Sequence, residues 1–284
     1  MGTLRALLRA AALLPHLMLF AALAALWPGQ WAACPWRRIF LRSWARSVCR
    51  SLGLRIDVRG RPMQEPRLLA ANHVSWLDIL ALWSVEPACF VAKEEVDAWP
   101  VVGWLASRAG TLFLKRGSSI AAACKVVQAA CLLKRGVPVA VFPEGTSSLG
   151  ASTRRFHAAF FEAALLAGVE VEAVALRYPR GRGLSLVVPF VGDDLFGPHL
   201  WRVLRQKGLR AELEFQGPVR AAERRSLAAA ARERIDGVIS GLPARCPGSS
   251  SAPASRARTA SGPRARPAAA GPGSRGRPSA APTP

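Results

Sequence analysis

The chain has 284 residues, 39 of them Lys or Arg and 18 Asp or Glu, for a formal net charge of +21, and 51% of it is hydrophobic. That length and apolar content exclude a staple-dependent miniprotein and a wholly disordered chain. A single region approaches the roughly 18 apolar residues of a transmembrane helix, which excludes a polytopic membrane protein, and the charge calls for an acidic partner: nucleic acid, an anionic membrane or a phosphorylated substrate.

The first element is an apolar helix over 4–27, with Arg5 and Arg9 ahead of a run interrupted by Pro15 and His16. A cleaved signal peptide shares the basic-then-apolar order. Trp31, three residues before Cys34, spoils the small-residue box of a lipoprotein signal. The segment is therefore read as an uncleaved anchor, able to span a bilayer or lie in its interface. Residues 34–52 follow as an amphipathic helix, in which Trp36, Ile39, Phe40, Trp44 and Val48 interleave with Arg37, Arg38, Arg42, Arg46 and Arg50. Basic and aromatic residues on one helix suit a headgroup region. Removing residues 1–50 is expected to release the protein from membranes and leave the rest folded.

After Gly53 strands and helices alternate. Strands are predicted over 54–58, 67–71, 88–92, 111–115 and 137–142, with a short helix near 76–84. Residues 118–136 read as a well-punctuated helix, with serines at the start, Lys134 and Arg135 in the last turn and Gly136 as the stop. A helix over 156–167, strands near 169–177 and 184–191, a helix near 199–206, a strand near 209–215 and a helix near 221–240 complete the body. The alternation predicts an α/β fold with a largely parallel sheet flanked by helices, preceded by membrane-associated N-terminal helices. The expected organisation is 1–52 as anchoring helices, 53–242 as the α/β domain and 243–284 as a disordered tail. From Gly237 onward there is no Asp, Glu or Lys but there are seven arginines, among Pro, Ala, Ser and Gly. Such a composition buries too little apolar surface to offset ordering entropy. None of the six cysteines forms a C-x-x-C pair or a zinc-spaced cluster, so free, buried thiols in a reducing compartment are expected.

Three short segments at strand ends carry chemistry. NHVSWLD, 72–78, holds His73 and Asp78 five apart. On a regular helix that offset turns through about 140°, but at a strand-to-helix corner the two can meet. A histidine held by a carboxylate is a general base for a hydroxyl. GTLFLKR, 110–116, ends a strand with Lys115 and Arg116, donors for a phosphate or carboxylate. FPEGTSS, 142–148, turns around Glu144, where Gly145, Thr146, Ser147 and Ser148 offer an anion-binding nest and Glu144 can hold a basic group or a substrate hydroxyl. No G-x-S-x-G, Walker loop or G-x-G-x-x-G is present.

In this order the three segments resemble the glycerolipid acyltransferase family, whose type is the bacterial 1-acylglycerol-3-phosphate acyltransferase. The H-x4-D block is matched by Asn72, His73, Ser75 and Asp78, G-x-x-F-x-x-R by Gly110, Phe113 and Arg116, and FPEGT-x-S by residues 142–146 and Ser148. VEAVALRY, 171–178, resembles the fourth block, with Ala173 where a proline is common, and 90–106 resembles the linker between the first two blocks. The resemblance spans residues 50–218. It implies that Asp78 orients His73, that His73 deprotonates an acceptor hydroxyl, and that this oxygen attacks the thioester of acyl-CoA or acyl-carrier protein. No metal or cofactor is implied. Arg116, Glu144 and Gly145 would bind the acceptor, with Lys115 and Thr146 beside them.

Ser147 replaces an arginine frequent in the family, while Lys115 adds a charge. These two departures pull in opposite directions. The first expectation is acylation of 1-acylglycerol-3-phosphate to phosphatidic acid. The second is O-acylation of lyso-ornithine lipid, a branch that VSWLDI at 74–79, FPEGTSS with the long segment after it, and VGDDLFGPHLW at 191–201 resemble. The place implied is the cytoplasmic face of a bacterial inner membrane, with an anionic lipid surface as partner. Two readings of other classes are a basic nucleic-acid-binding protein, for which no recognised motif exists and no nucleic acid is expected, and a hydrolase using water as acceptor.

Overall fold

The computed structural model describes residues 1–240 except 27–33, 65, 100, 116 and 182. The described residues all fall in one unit, Met1–Arg245. The expected tail, 243–284, and Arg116 lie outside them.

In chain order the elements are α1 (Gly2–Leu26), α2 (Pro35–Leu52), β1 (Leu54–Arg59), β2 (Arg67–Ala71), α3 (Leu77–Trp83), β3 (Cys89–Lys93), α4 (Glu94–Asp97), α5 (Val102–Ala109), β4 (Leu112–Leu114) and α6 (Ser119–Lys134). There follow β5 (Val139–Val141), α7 (Phe161–Ala167), β6 (Glu170–Arg177), the two-residue strands β7 (Pro179–Arg180) and β8 (Gly183–Leu184), α8 (Phe196–Arg205), β9 (Leu209–Val219) and α9 (Arg224–Ile239).

Seven strands form one sheet in the order β1-β9-β6-β2-β5-β3-β4. The five from β6 to β4 run parallel; β9 pairs antiparallel with β6, and β1 follows β9. The expected largely parallel sheet is present, with two reversed strands at one edge. β2 and β5 are buried along their whole length, as a strand covered on both faces must be. The chain leaves β2 toward β3 and leaves β5 toward β6, in opposite directions along the sheet. Helices consequently cover both faces: α2 packs on α3, and α6, α7 and α9 pack together. Adjacent strands with diverging exits open a crevice at their carboxyl ends, the usual ligand position in such sheets.

The punctuation of α6 is as the sequence predicts. Ser118 Oγ accepts from Ala121 N (3.1 Å), and Gly136 follows with φ +79°. Other expectations need correction. The helix predicted over 156–167 begins at Phe161, because the preceding backbone bonds to the loop after β5 instead: Arg154 N bonds Glu144, and His157 N bonds Pro143 O (2.8 Å). Of the strand predicted at 184–191 only Leu184 is paired, since Phe190 N goes to Val74 O (2.9 Å) rather than to a neighbouring strand. Segment 94–109 contains two helices that its sequence did not announce. Cys124 and Cys131 are exposed, not buried; among the described residues Cys49 and Cys89 are the buried thiols, and burial pushes each up to about 12.

The join at 52/53 separates elements but not cores. α2 buries Leu41, Trp44, Ala45, Val48, Cys49 and Leu52 in the same cluster as the strands. Removing residues 1–50 therefore strips one wall of the core, and the folded remnant expected from sequence loses its support. α1 is attached more lightly. Its buried stripe, Ala6, Leu13, Phe20 and Ala24, faces α2 and α8. His16, which with Pro15 interrupts the apolar run, bonds α1 to α2. His16 Nε2 meets Ser47 Oγ (2.7 Å), and His16 O accepts from Trp44 Nε1 (2.9 Å) beside Pro15. Arg9 reaches Leu204 O and Gln206 O at the end of α8.

Candidate active site

The chain between β2 and α3 is a non-helical corner, and it brings His73 and Asp78 together. Asp78 lies in the first turn of α3, where free amides and the helix dipole favour a carboxylate. Its Oδ2 accepts from Val74 N (2.7 Å), Ser75 N (2.9 Å) and His73 Nδ1 (2.7 Å). Asp78 is fully buried, whereas the His73 side chain is 21% exposed. With Nδ1 taken, Nε2 is the ring nitrogen left for a substrate; it has no protein partner among the described residues. The ring stacks on Phe142 at 4.2 Å, and Phe142 stacks on Phe90 at 5.5 Å.

The loop after β5 lies against this corner. Glu144 is 4% exposed, and both its oxygens are engaged: Oε1 accepts from His73 N (2.8 Å) and Oε2 from Arg154 N (2.9 Å). Desolvation pushes its pKa above the usual carboxylate range, opposed by those two amides. His73 O accepts in turn from Ser148 N (2.8 Å) and Ser148 Oγ (3.1 Å). Ser147 Oγ donates to Phe190 O. The two motifs thus position each other through the backbone. Gly145, at φ +68°, allows the turn to close, and it stands exposed with Thr146. Lys115 follows β4 and is exposed at the same carboxyl edge of the sheet. At about 4.8 Å per strand it is roughly 14 Å from the β2 corner.

Four further residues complete the site. Tyr178, just past β6, donates from its hydroxyl to Asp78 Oδ1 (2.6 Å). Asn72 pairs its amide with Leu176 N (2.7 Å) and Leu176 O (2.9 Å), tying the corner to β6. Trp76 Nε1 donates to His199 Nδ1 (3.0 Å), and His199 Nε2 lies 3.2 Å from Pro189 O. These bonds make His199 a neutral ring protonated at Nε2; burial lowers its pKa. Asn72 was within a quoted motif, but nothing in sequence linked Tyr178, Trp76 or His199 to the corner. The one available signal was that Tyr178 is the sole tyrosine.

The family model described as Acyltransferase matches residues 55–177, from β1 through β6. A lyso-ornithine lipid O-acyltransferase of Pseudomonas aeruginosa is 38% identical over 244 residues, covering 83% of this chain and 93% of that protein. The chain belongs to the glycerolipid acyltransferase family. A 1-acyl-sn-glycerol-3-phosphate acyltransferase of Neisseria meningitidis serogroup B is 41% identical over 182 residues, covering 63% of this chain and 71% of that protein. The crystal structure of the acyltransferase PlsC from Thermotoga maritima shares the fold, with TM-score 0.57 at 20% identity over 84% of this chain and 92% of that one. This acyltransferase accordingly carries its H-x4-D pair at the end of β2 and its FPEGT loop at the end of β5, adjacent strands of the shared sheet.

Proposed function

We propose that the enzyme moves a fatty acyl group from acyl-CoA or acyl-carrier protein to the free hydroxyl of a membrane lysolipid, with 1-acylglycerol-3-phosphate as acceptor. The observation that carries this reading is an imidazole fixed at Nδ1 by a buried carboxylate, with Nε2 unpartnered among the described residues. Nε2 takes the hydroxyl proton as the acceptor oxygen bonds to the thioester carbonyl carbon. The tetrahedral intermediate collapses, the carbon–sulfur bond breaks, and the thiolate receives that proton from Nε2. Asp78 stays ionised and stabilises the transient imidazolium. Lys115, with Arg116, supplies charge for the acceptor's phosphate, and Gly145 and Thr146 border the space between.

Lyso-ornithine lipid is the second acceptor to weigh. The match to the Pseudomonas enzyme covers 93% of that protein against 71% for the Neisseria enzyme. Ser147, whose hydroxyl is engaged by Phe190 O, contributes no cation.

The acceptor's place in a bilayer gives α1 a role. This helix is long and apolar enough to cross a membrane. One stripe docks on the body, while Leu4, Leu7, Leu8, Leu14 and Met18 stand exposed. A helix packed along the domain with its outer face apolar suits the interface of an anionic inner membrane, on the cytoplasmic side where acyl thioesters are made. The test is an acyl-transfer assay in membranes, offering labelled thioester with lysophosphatidic acid and with lyso-ornithine lipid in parallel, and His73→Ala as blank. Product from the first acceptor supports the reading. Product from the second alone moves the enzyme to a phosphorus-free lipid. Fatty acid released without either marks a hydrolase, and His73-independent product overturns the mechanism.

A further inference from the structure

Asp78 is a buried carboxylate whose two oxygens have different partners. Oδ2 holds His73 Nδ1 and two backbone amides, as above. Oδ1 has Tyr178 as its partner, at 2.6 Å. A carboxylate buried in apolar surroundings is costly unless its lone pairs are met by donors, and hydrogen bonds to charged groups are the strong ones. Tyr178 is itself 2% exposed, and its place is doubly fixed. Its carbonyl accepts from Ser185 N (2.8 Å), and two residues earlier Leu176 is clasped by Asn72. Rotation of the Asp78 carboxylate about its Cβ–Cγ bond would break the Tyr178 bond and the His73 bond together.

We propose that Tyr178 is a positioning residue for the acyl transfer: its hydroxyl locks the Asp78 carboxylate in the rotation that presents Oδ2 to His73, and sets the proton affinity of the His73–Asp78 pair. The inference rests on His73 being the base. A donor on Oδ1 stabilises the pair most when it carries the net negative charge of neutral His73 beside ionised Asp78, which is the active form. Weakening that donor raises the pair's affinity for a proton, so the acid limb of kcat moves to higher pH; strengthening it moves the limb down. The other titratable groups around the pair are Glu144, through His73 N, Cys49 on α2 near the Tyr178 ring, and His199 on α8, which reaches the corner through Trp76. None of them is altered by the test.

Because Tyr178 is the sole tyrosine, full replacement of tyrosine by 3-fluorotyrosine edits this hydroxyl alone in the intact chain. The ring fluorine acidifies the phenol and makes it a stronger donor. The fluorinated enzyme should keep its KM values while its acid limb shifts to lower pH. Its single fluorine resonance should titrate with that limb and cease to do so in Asp78→Asn. Tyr178→Phe should reduce kcat about 10- to 100-fold at constant KM and move the limb up by about one pH unit. In an Asp78→Asn background the same change should add little. Leu227→Ala on α9 serves as control: it loses stability without moving the limb. The proposal is overturned if the limb stays in place in both the fluorinated and Phe enzymes, or if the Tyr178 and Asp78 effects simply add. Full activity of His73→Ala would instead overturn the assignment of the base, which keeps the two failures apart.

Discussion

At the residue scale, two side chains with similar credentials in sequence have different work. His73 and Glu144 were both placed on the substrate. Among the described residues His73 Nε2 has no partner, whereas both Glu144 oxygens accept from backbone amides. His73→Ala should therefore reduce turnover by about 10²- to 10⁴-fold, the range of general-base catalysis, with a small change in thermal midpoint. Glu144→Gln presents one acceptor where two amide donors converge, so one donor faces an NH2. A loss of about 1–3 kcal/mol is expected in denaturant melts, with kcat falling more than KM rises. A pure KM effect would return Glu144 to acceptor binding. Arg67 offers a further test. It is 2% exposed, with Nε 2.6 Å from Glu172 and Nη2 3.5 Å from Glu86. Glu172→Ala leaves a buried guanidinium short of its main counter-charge and should cost about 3–5 kcal/mol in the same melts.

At the element scale, the site is a junction of loops that hold one another. The corner after β2, the loop after β5 and the segment at 190 exchange backbone hydrogen bonds, so a change in one is felt in all three. Gly150 shows how tight the junction is. At φ +77°, a Cβ there would lie 2.9 Å from Val74 Cγ2, next to His73, so Gly150→Ala is expected to lower turnover as well as stability. α8 is clamped to the corner by the neutral His199. Its folded pKa lies below its unfolded value of about 6.5, so the unfolded chain binds the proton more readily. The clamp's contribution is therefore present above about pH 6.5 and is lost as pH falls toward the lower folded value. Melts from pH 7.5 to 5.5 should show wild type losing more stability than His199→Phe.

At the scale of the whole molecule, the N-terminal helices differ in how they can be removed. Deleting residues 2–26 takes away the light stripe of α1 and should leave a folded enzyme that no longer floats with anionic vesicles. Deleting 1–52 also removes the α2 wall and should give an unfolded chain. A well-folded product of the longer deletion, with a sharp melt, would contradict the shared core.

The alternation of strands and helices, the three motif blocks and the family were legible in the amino-acid order alone. These are local: hydrophobic period, Gly and Pro punctuation, and short runs of chemistry-bearing residues are all written within a few positions of one another. The start of α7, the loss of the strand after 184, the bracing of His73 by Glu144 and the bond from Tyr178 to Asp78 come from tertiary structure. Each depends on where a hydrogen bond goes across 10 to 100 or more residues of chain, as from Arg154 to Glu144, from Tyr178 to Asp78 or from Phe190 to Val74. Propensity favoured helix at 156 and strand at 184, but buried polar groups at the site needed partners, and that requirement took the backbone of both segments.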